Sequence, residues 1–262
     1  MRKALIAIAS VVITASASYA QVLVAGWDFQ TTTTGGTATA AAPATPKIYT
    51  ANFGAGRLYF DGSNGSSNWF VPASGATNTE LNAFGGSSAN TVASDGTLLS
   101  SVTSGSSALA VVGGAGTAPA SAANGKSAVF VFSMVDKINL SISLSAQRTS
   151  TGFTNQLWEY SANGGTSWSN IGSFASGTTA GTLASSFATS GVLSLPTFSG
   201  LDGIADARVR VTFTGASASA GNNRLDNIQL NAVAVPEPSS GALLVLGGVS
   251  LVAVRSLRKR NS

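Results

Sequence analysis

The sequence predicts an all-β protein, an antiparallel β-sandwich, with an N-terminal signal helix and a single C-terminal transmembrane helix. Three observations point there. The interior of the chain breaks into short β-type runs bounded by Gly, Asn and Ser, and several of these runs alternate apolar with polar residues. No window between the ends carries a helical apolar stripe. Each end pairs one apolar run with basic residues.

At the start, Arg2 and Lys3 precede an apolar run from Ala4 to Ala15, and Ser18-Tyr19-Ala20 places small residues where a signal peptidase reads. Residues 1–20 are therefore expected to be a signal peptide cleaved after Ala20, leaving Gln21 at the mature N-terminus. The ectodomain is expected over 21–234. Its strands are expected at Val22 to Phe29, Arg57 to Phe60, Leu109 to Val112, Ala128 to Met134 and Ile138 to Ser145. Gln156 to Ser161, Val192 to Leu195, Arg208 to Phe213 and Arg224 to Leu230 complete the set. In the fifth strand Ile138, Leu140, Ile142 and Leu144 fall on one face, with Asn139, Ser141, Ser143 and Ser145 on the other. In the strand from Arg208, the charges of Arg208 and Arg210 face away from Val209, Val211 and Phe213. One apolar and one polar face per strand describes antiparallel sheets packed as a sandwich. Val22 to Phe29 is expected to pair with the last strand, because sandwich closure brings both termini to one edge. Thr31 to Thr45 (31–45), rich in Thr, Ala and Gly, is expected to be a long loop.

The tail, 235–262, has three parts in order. Pro236-Glu237-Pro238 lacks two backbone donors and is held extended, which suits a peptide lying in another protein's groove. Residues 241–254 are an apolar run of about 21 Å if helical, short of a hydrocarbon core of about 30 Å, with flanking residues and local thinning making up the difference. Residues 255–260 then carry Arg255, Arg258, Lys259 and Arg260, which stay cytoplasmic and turn the ectodomain outward. Pro236, Glu237 and Pro238, then a span, then Arg258-Lys259-Arg260, resemble the PEP-CTERM sorting signal. The resemblance covers roughly the last 28 residues. It implies a substrate of an exosortase, a membrane-embedded cysteine protease or transpeptidase, with transient anchoring in the inner membrane before delivery to the cell surface or an exopolysaccharide matrix.

Composition excludes much chemistry. The formal net charge is +4, but six of the fourteen basic residues lie in the two terminal segments. Gln21 to Val235 carries eight basic residues against nine acidic ones, a net of −1, so nucleic acid is not an expected partner. The sequence has no Cys and no His. It therefore has no disulfide, thiolate nucleophile, imidazole acid or base, Ser-His-Asp arrangement or usual zinc ligand set. No cofactor is expected.

Four motifs remain. Tyr160 to Trp168 resembles an Asp-box hairpin, with Asn163 in place of the Asp and Ser167 in place of the Thr; Asn and Gly supply the turn and Trp168 packs back on it. Asn223 to Leu230 looks like the final strand of jelly-roll sandwich domains found in exported proteins of this sorting class, which makes the expected sandwich jelly-roll-like. Within it Arg224 and Asp226 share a face, and a local ion pair or a hydrogen bond to a neighbouring loop is the expected arrangement; Asp226 with a loop carboxylate such as Asp28 is the candidate calcium pair, since hard cations take oxygen ligands. Trp27 is expected in the core, and Trp69, Trp158 and Trp168 are the candidates for a sugar-stacking platform. A glycan hydrolase would need two carboxylates about 5–10 Å apart, and Glu159 with Asp136 is the pair to test. The sequence thus points to a non-enzymatic structural or carbohydrate-binding ectodomain, with a glycan-active hydrolase as the alternative.

Overall fold

The computed structural model describes residues 20–32, 38–40, 48–65, 68–69, 80–85, 107–113, 122–176, 182–186, 190 and 192–235. The signal helix, the span, and the sorting residues Pro236, Glu237, Pro238, Arg258, Lys259 and Arg260 lie outside them; Ala20 is described and exposed. The compact unit treated below is Gln21–Ala234.

The described residues are all-β. The strands are β1 (Gln21–Trp27), β2 (Gln30–Thr32), β3 (Ala38–Ala40), β4 (Ile48–Thr50), β5 (Phe53–Gly54), β6 (Gly56–Tyr59), β7 (Leu81–Gly85) and β8 (Ser107–Val112). They continue with β9 (Ser127–Phe132), β10 (Lys137–Arg148), β11 (Asn155–Ser161), β12 (Ser169–Ala175), β13 (Val192–Ser194), β14 (Ala207–Thr214) and β15 (Asn222–Ala234). They form two main antiparallel sheets. The first runs β13-β10-β15-β1-β5, with β8 also pairing β15 and β7 pairing β8; the second runs β12-β11-β14-β9-β6-β4.

β15 organises the first sheet because it is long enough to take two partners along one edge. Residues 228–233 pair with β1, as the closure argument expects, and 222–225 pair with β8, while β10 runs along the other edge. The change of partner falls at a bulge, where Asn227 takes φ 47 and the β10 register shifts between Ser143 and Ser145. Asn tolerates that conformation better than other non-Gly residues, so the sequence can insert one residue there and still point Leu225 and Ile228 inward. A second bulge, at Asn139 with φ 58, shifts β10 between Ile138 and Ser141. It breaks the expected four-residue apolar face: Leu140, Ile142 and Leu144 are buried and Ile138 is only half-buried.

The inner faces of the two sheets meet in one apolar core. Trp27 of β1 packs edge-on against Phe130 of β9 at 5.1 Å between centroids, and Phe130 stacks on Trp158 of β11 at 5.8 Å. Trp69 lies between Phe60 and Phe213 at 5.5 and 5.7 Å. β14 alternates strictly, with Ala207, Val209, Val211 and Phe213 inward and Arg208, Arg210 and Thr212 outward.

The sequence reading missed several strands. β2 and β3 pair as a two-stranded sheet, Gln30 with Ala40 and Thr32 with Ala38, inside the stretch expected to be a loop. β-branched Thr suits a strand even without a large apolar neighbour. β4, β5, β7 and β12 were also outside the expected set; in β12 the apolar residues Ile171 and Phe174 are three apart and Gly172 sits between them, so no period of two is visible.

Candidate functional site

The outer face of the second sheet is the candidate site. Pairing registers place its outward side chains in two rows. One row runs Arg57 on β6, Val131 on β9, Arg208 on β14 and Ser161 on β11. The next runs Tyr59, Val129, Arg210 and Glu159 on the same four strands. Adjacent strands lie about 4.8 Å apart, so each row spans about 14 Å across the sheet.

The hairpin from β11 to β12 adds Trp168 to the second row. Gly164 and Gly165 take φ 69 and 89, which closes the turn. Asn163 then organises it: its Oδ1 accepts from Ser161 Oγ at 2.8 Å and from the Ser167 amide at 3.0 Å, and its Nδ2 donates to Ser167 Oγ at 2.8 Å. The Gly165 amide donates to Ser161 Oγ at 2.9 Å. These bonds account for the Asn and the two Ser as turn-builders, in agreement with the Asp-box-like reading. Their product is the position of Trp168, half-buried, with the Arg210 guanidinium 4.4 Å from its ring centroid. Arg210 Nε also donates to Glu159 Oε2 at 2.6 Å, and the pair is largely shielded, with side-chain exposures of 26% and 14%. Arg208 grips Asp206 through Nη2–Oδ2 at 2.9 Å and Nε–Oδ1 at 3.3 Å. Arg57 is exposed.

The three tryptophans proposed for sugar stacking are not brought together. Trp69 and Trp158 are both fully buried, so neither can stack on a ligand at the surface. Trp69 Nε1 donates to the Ser127 carbonyl at 2.8 Å, which ties it into the core. Trp158 points inward by the regular alternation of β11, opposite the inward Val211 of β14; Gln156 shares that inner face and is also fully buried, while Leu157 is half-buried on the outer face. Trp168 alone is left at the surface. Trp27 is in the core as expected.

The carboxylate pairs fare differently. Glu159 is engaged by Arg210, whereas Asp136 is exposed in the turn after β9, with φ 57, beyond the end of the strand whose Val129 shares the Glu159 row. The structure does not assemble them across a cleft. Asp226 makes no ion pair with Arg224. The Asn227 amide donates to its Oδ1 at 2.8 Å. Asp226 and Asp28 are both buried and feel each other's charge; burial holds the Asp226 carboxyl well above its ordinary range, the Asn227 amide pulls it down, and Asp28 pushes it up. Among the described residues no group of three or more His, Cys, Asp or Glu could hold a metal.

No family model matches the chain, and no curated protein matches it. Solved structures similar to it include the following two. One is the K2 cleaved adhesin domain of Lys-gingipain, 11% identical, with a TM-score of 0.33 over 61% of this chain and 87% of that one. The other is TmCBM61 in complex with β-1,4-galactotriose, 10% identical, with a TM-score of 0.27 over 58% of this chain and 81% of that one.

Proposed function

We propose that this chain is an exported surface or matrix protein, a substrate first of signal peptidase and then of an exosortase, whose jelly-roll-like sandwich binds exopolysaccharide without catalysis. The sorting half of the reading rests on the order Pro236-Glu237-Pro238, apolar run, Arg258-Lys259-Arg260. The binding half rests on one observation, the half-buried Trp168 with the Arg210 guanidinium 4.4 Å from its ring centroid. An indole ring fixed in place by a guanidinium loses little freedom when a sugar ring stacks on it, and the remaining guanidinium donors suit sugar hydroxyls. Hydrolysis is disfavoured because Glu159 is paired with Arg210 and Asp136 lies outside the row.

Two measurements test the two halves. Full-length chain in mild detergent, passed over immobilised polysaccharides, should be retained without release of reducing ends, and Trp168→Ala should weaken retention; release of reducing ends abolished by Glu159→Gln would make the protein an enzyme instead. In a host with an exosortase, Pro236→Ala with Pro238→Ala should leave full-length protein in the inner membrane, because the freed backbone no longer presents an extended recognition peptide. Wild-type protein recovered at the surface with its basic tail intact would reduce the segment to an ordinary anchor.

A further inference from the structure

We infer that the occupant of this face is an anionic polysaccharide, one carrying carboxylate or sulfate groups, and that Arg57 reads those groups; the inference rests on the glycan-binding reading above. Donors and acceptors on the outer face of the second sheet are unequally committed. Its two carboxylates are already used, Glu159 by Arg210 and Asp206 by Arg208. Each is balanced in charge by its arginine, which lowers its repulsion of an anion, although acceptor capacity remains on both. Its guanidinium groups have capacity left. Arg210 spends Nε on Glu159 and Arg208 spends Nε and Nη2 on Asp206, out of five N–H donors each.

Among the described residues Arg57 has no ion pair or side-chain hydrogen bond, and it is exposed, so its guanidinium is open to a ligand. The face therefore offers donors and one uncompensated positive charge, and its complement is an acceptor-rich, negatively charged chain.

Placement gives the charge a purpose. Arg57 and Tyr59 are alternate residues of β6, so both side chains point outward about 7 Å apart, and Tyr59 lies in the row that ends at Glu159 beside Trp168. A saccharide reaching from Tyr59 to Trp168 has an aromatic side chain at each end of about 14 Å of sheet and Arg57 one register step to the side; between them Val129 is buried and Arg210 and Glu159 are largely shielded, so contact is made mainly at the two ends. Aromatic rings recognise the apolar faces of any hexose, whereas a bidentate guanidinium recognises planar carboxylate or a sulfate oxyanion. A neutral glucan would be gripped by the rings and would leave the Arg57 fork to water.

The test uses the full-length chain in mild detergent against immobilised alginate for carboxylate, dextran sulfate for sulfate, dextran for a neutral chain and single-stranded DNA for a non-sugar polyanion. Retention on alginate or dextran sulfate should exceed that on dextran by about tenfold or more, the scale of one charge-assisted hydrogen bond, and should fall steeply at high salt. Whichever of the two acidic polymers is retained names the anionic group. Arg57→Gln should lower retention on the acidic polymer to about the level seen on dextran, Arg57→Lys should restore the preference only in part, and Trp168→Ala should weaken retention on every polysaccharide. Equal retention on dextran and the acidic polymers, unaltered by Arg57→Gln, would overturn the inference and leave the glycan-binding reading standing. Retention on DNA as strong as on alginate would replace the sugar with a generic polyanion. No retention on any polysaccharide would remove the binding reading itself. Arg57 is exposed, and near-ultraviolet circular dichroism superposing on the wild type would show that its variants fold.

Discussion

The two sheets turn opposite kinds of outer face to their surroundings. On the first sheet, the polar side chains that alternate with the core residues are themselves buried: Ser143 and Ser145 of β10, with Asp226, Gln229 and Asn231 of β15, are each no more than 2% exposed. On the second sheet Arg57 is exposed and Trp168 half-buried, Arg210 and Glu159 are largely shielded, and Val129 and Ser161 are buried, so that face is open in part, around Arg57 and Trp168. Both sheets obey the same period of two, so alternation alone assigns each residue to a face and says nothing about whether that face meets water. The difference also separates chemistry from burial. The open face pairs its carboxylates with arginines, whereas Asp226 on the closed face has burial and a second carboxylate against it.

The largest expected effect separates two tryptophans one hairpin apart. Trp158→Ala removes a fully buried indole stacked on Phe130 and in edge contact with Phe174, and should cost about 3–5 kcal/mol in denaturant unfolding. Trp168→Ala removes one cation–π contact and a half-buried ring, and should cost about 0.5–2 kcal/mol. Equal costs would mean that Trp168 is also a core residue, and its standing as a surface contact would fall.

That pair also shows how far the sequence could be read. The centres of β1, β6, β8 to β11 and β13 to β15 were legible because Val, Ile, Leu and Phe alternate with Ser, Asn and Arg. The pairing of β1 with β15 was legible from closure alone. The orientation of β11 was not, because Gln156 takes an inward position without a hydrogen-bond partner and Leu157 takes an outward one, the reverse of what polarity dictates. With that inversion, Trp158 could not be told from Trp168. The site row was half legible: the outward direction of Arg208 and Arg210 follows from β14, but the registers that bring Tyr59 and Glu159 into line with Arg210 depend on non-local pairing. The bulges at Asn139 and Asn227 left only the weak signal of an Asn inside a strand.

An intermediate effect tests the closed face. The folded-state value of Asp226 lies above its unfolded value, so the folded chain keeps a proton that the unfolded chain has released. Stability from this group is therefore greatest below the ordinary Asp range and is lost as pH rises through the folded value. Asp226→Asn keeps the acceptor for the Asn227 amide and removes the ionisation. It should raise stability by about 1–3 kcal/mol near neutral pH, and change it little in acid. Thermal melts from about pH 4 to pH 8 should thus show a wild-type decline that the variant lacks. Destabilisation of the variant at neutral pH would mean that the ionised carboxylate is wanted there, and the closed face would have to be reread as a site for a cation.

The smallest effect compares one serine on each outer face. Ser143 Oγ is buried and has no hydrogen-bond partner, whereas Ser173 of β12 is exposed and can use water. A buried unpaired hydroxyl has lost its hydration without a substitute, so replacing it with a methyl group should be neutral to stabilising by up to about 1 kcal/mol. At Ser173 the same replacement changes a group solvated in both folded and unfolded states and should fall within about 0.5 kcal/mol of wild type. The two substitutions are chemically identical and both lie in strands, so β-propensity cancels to first order and the difference in midpoint of a urea melt reports on the faces themselves. A Ser143→Ala variant that loses more than about 1 kcal/mol would show that the hydroxyl is satisfied after all, by water or by a neighbour, and that the polar residues of this face form a connected network. The closed face would then be held by its hydrogen bonds, and the contrast with the arginine-lined face would be one of ligand access alone.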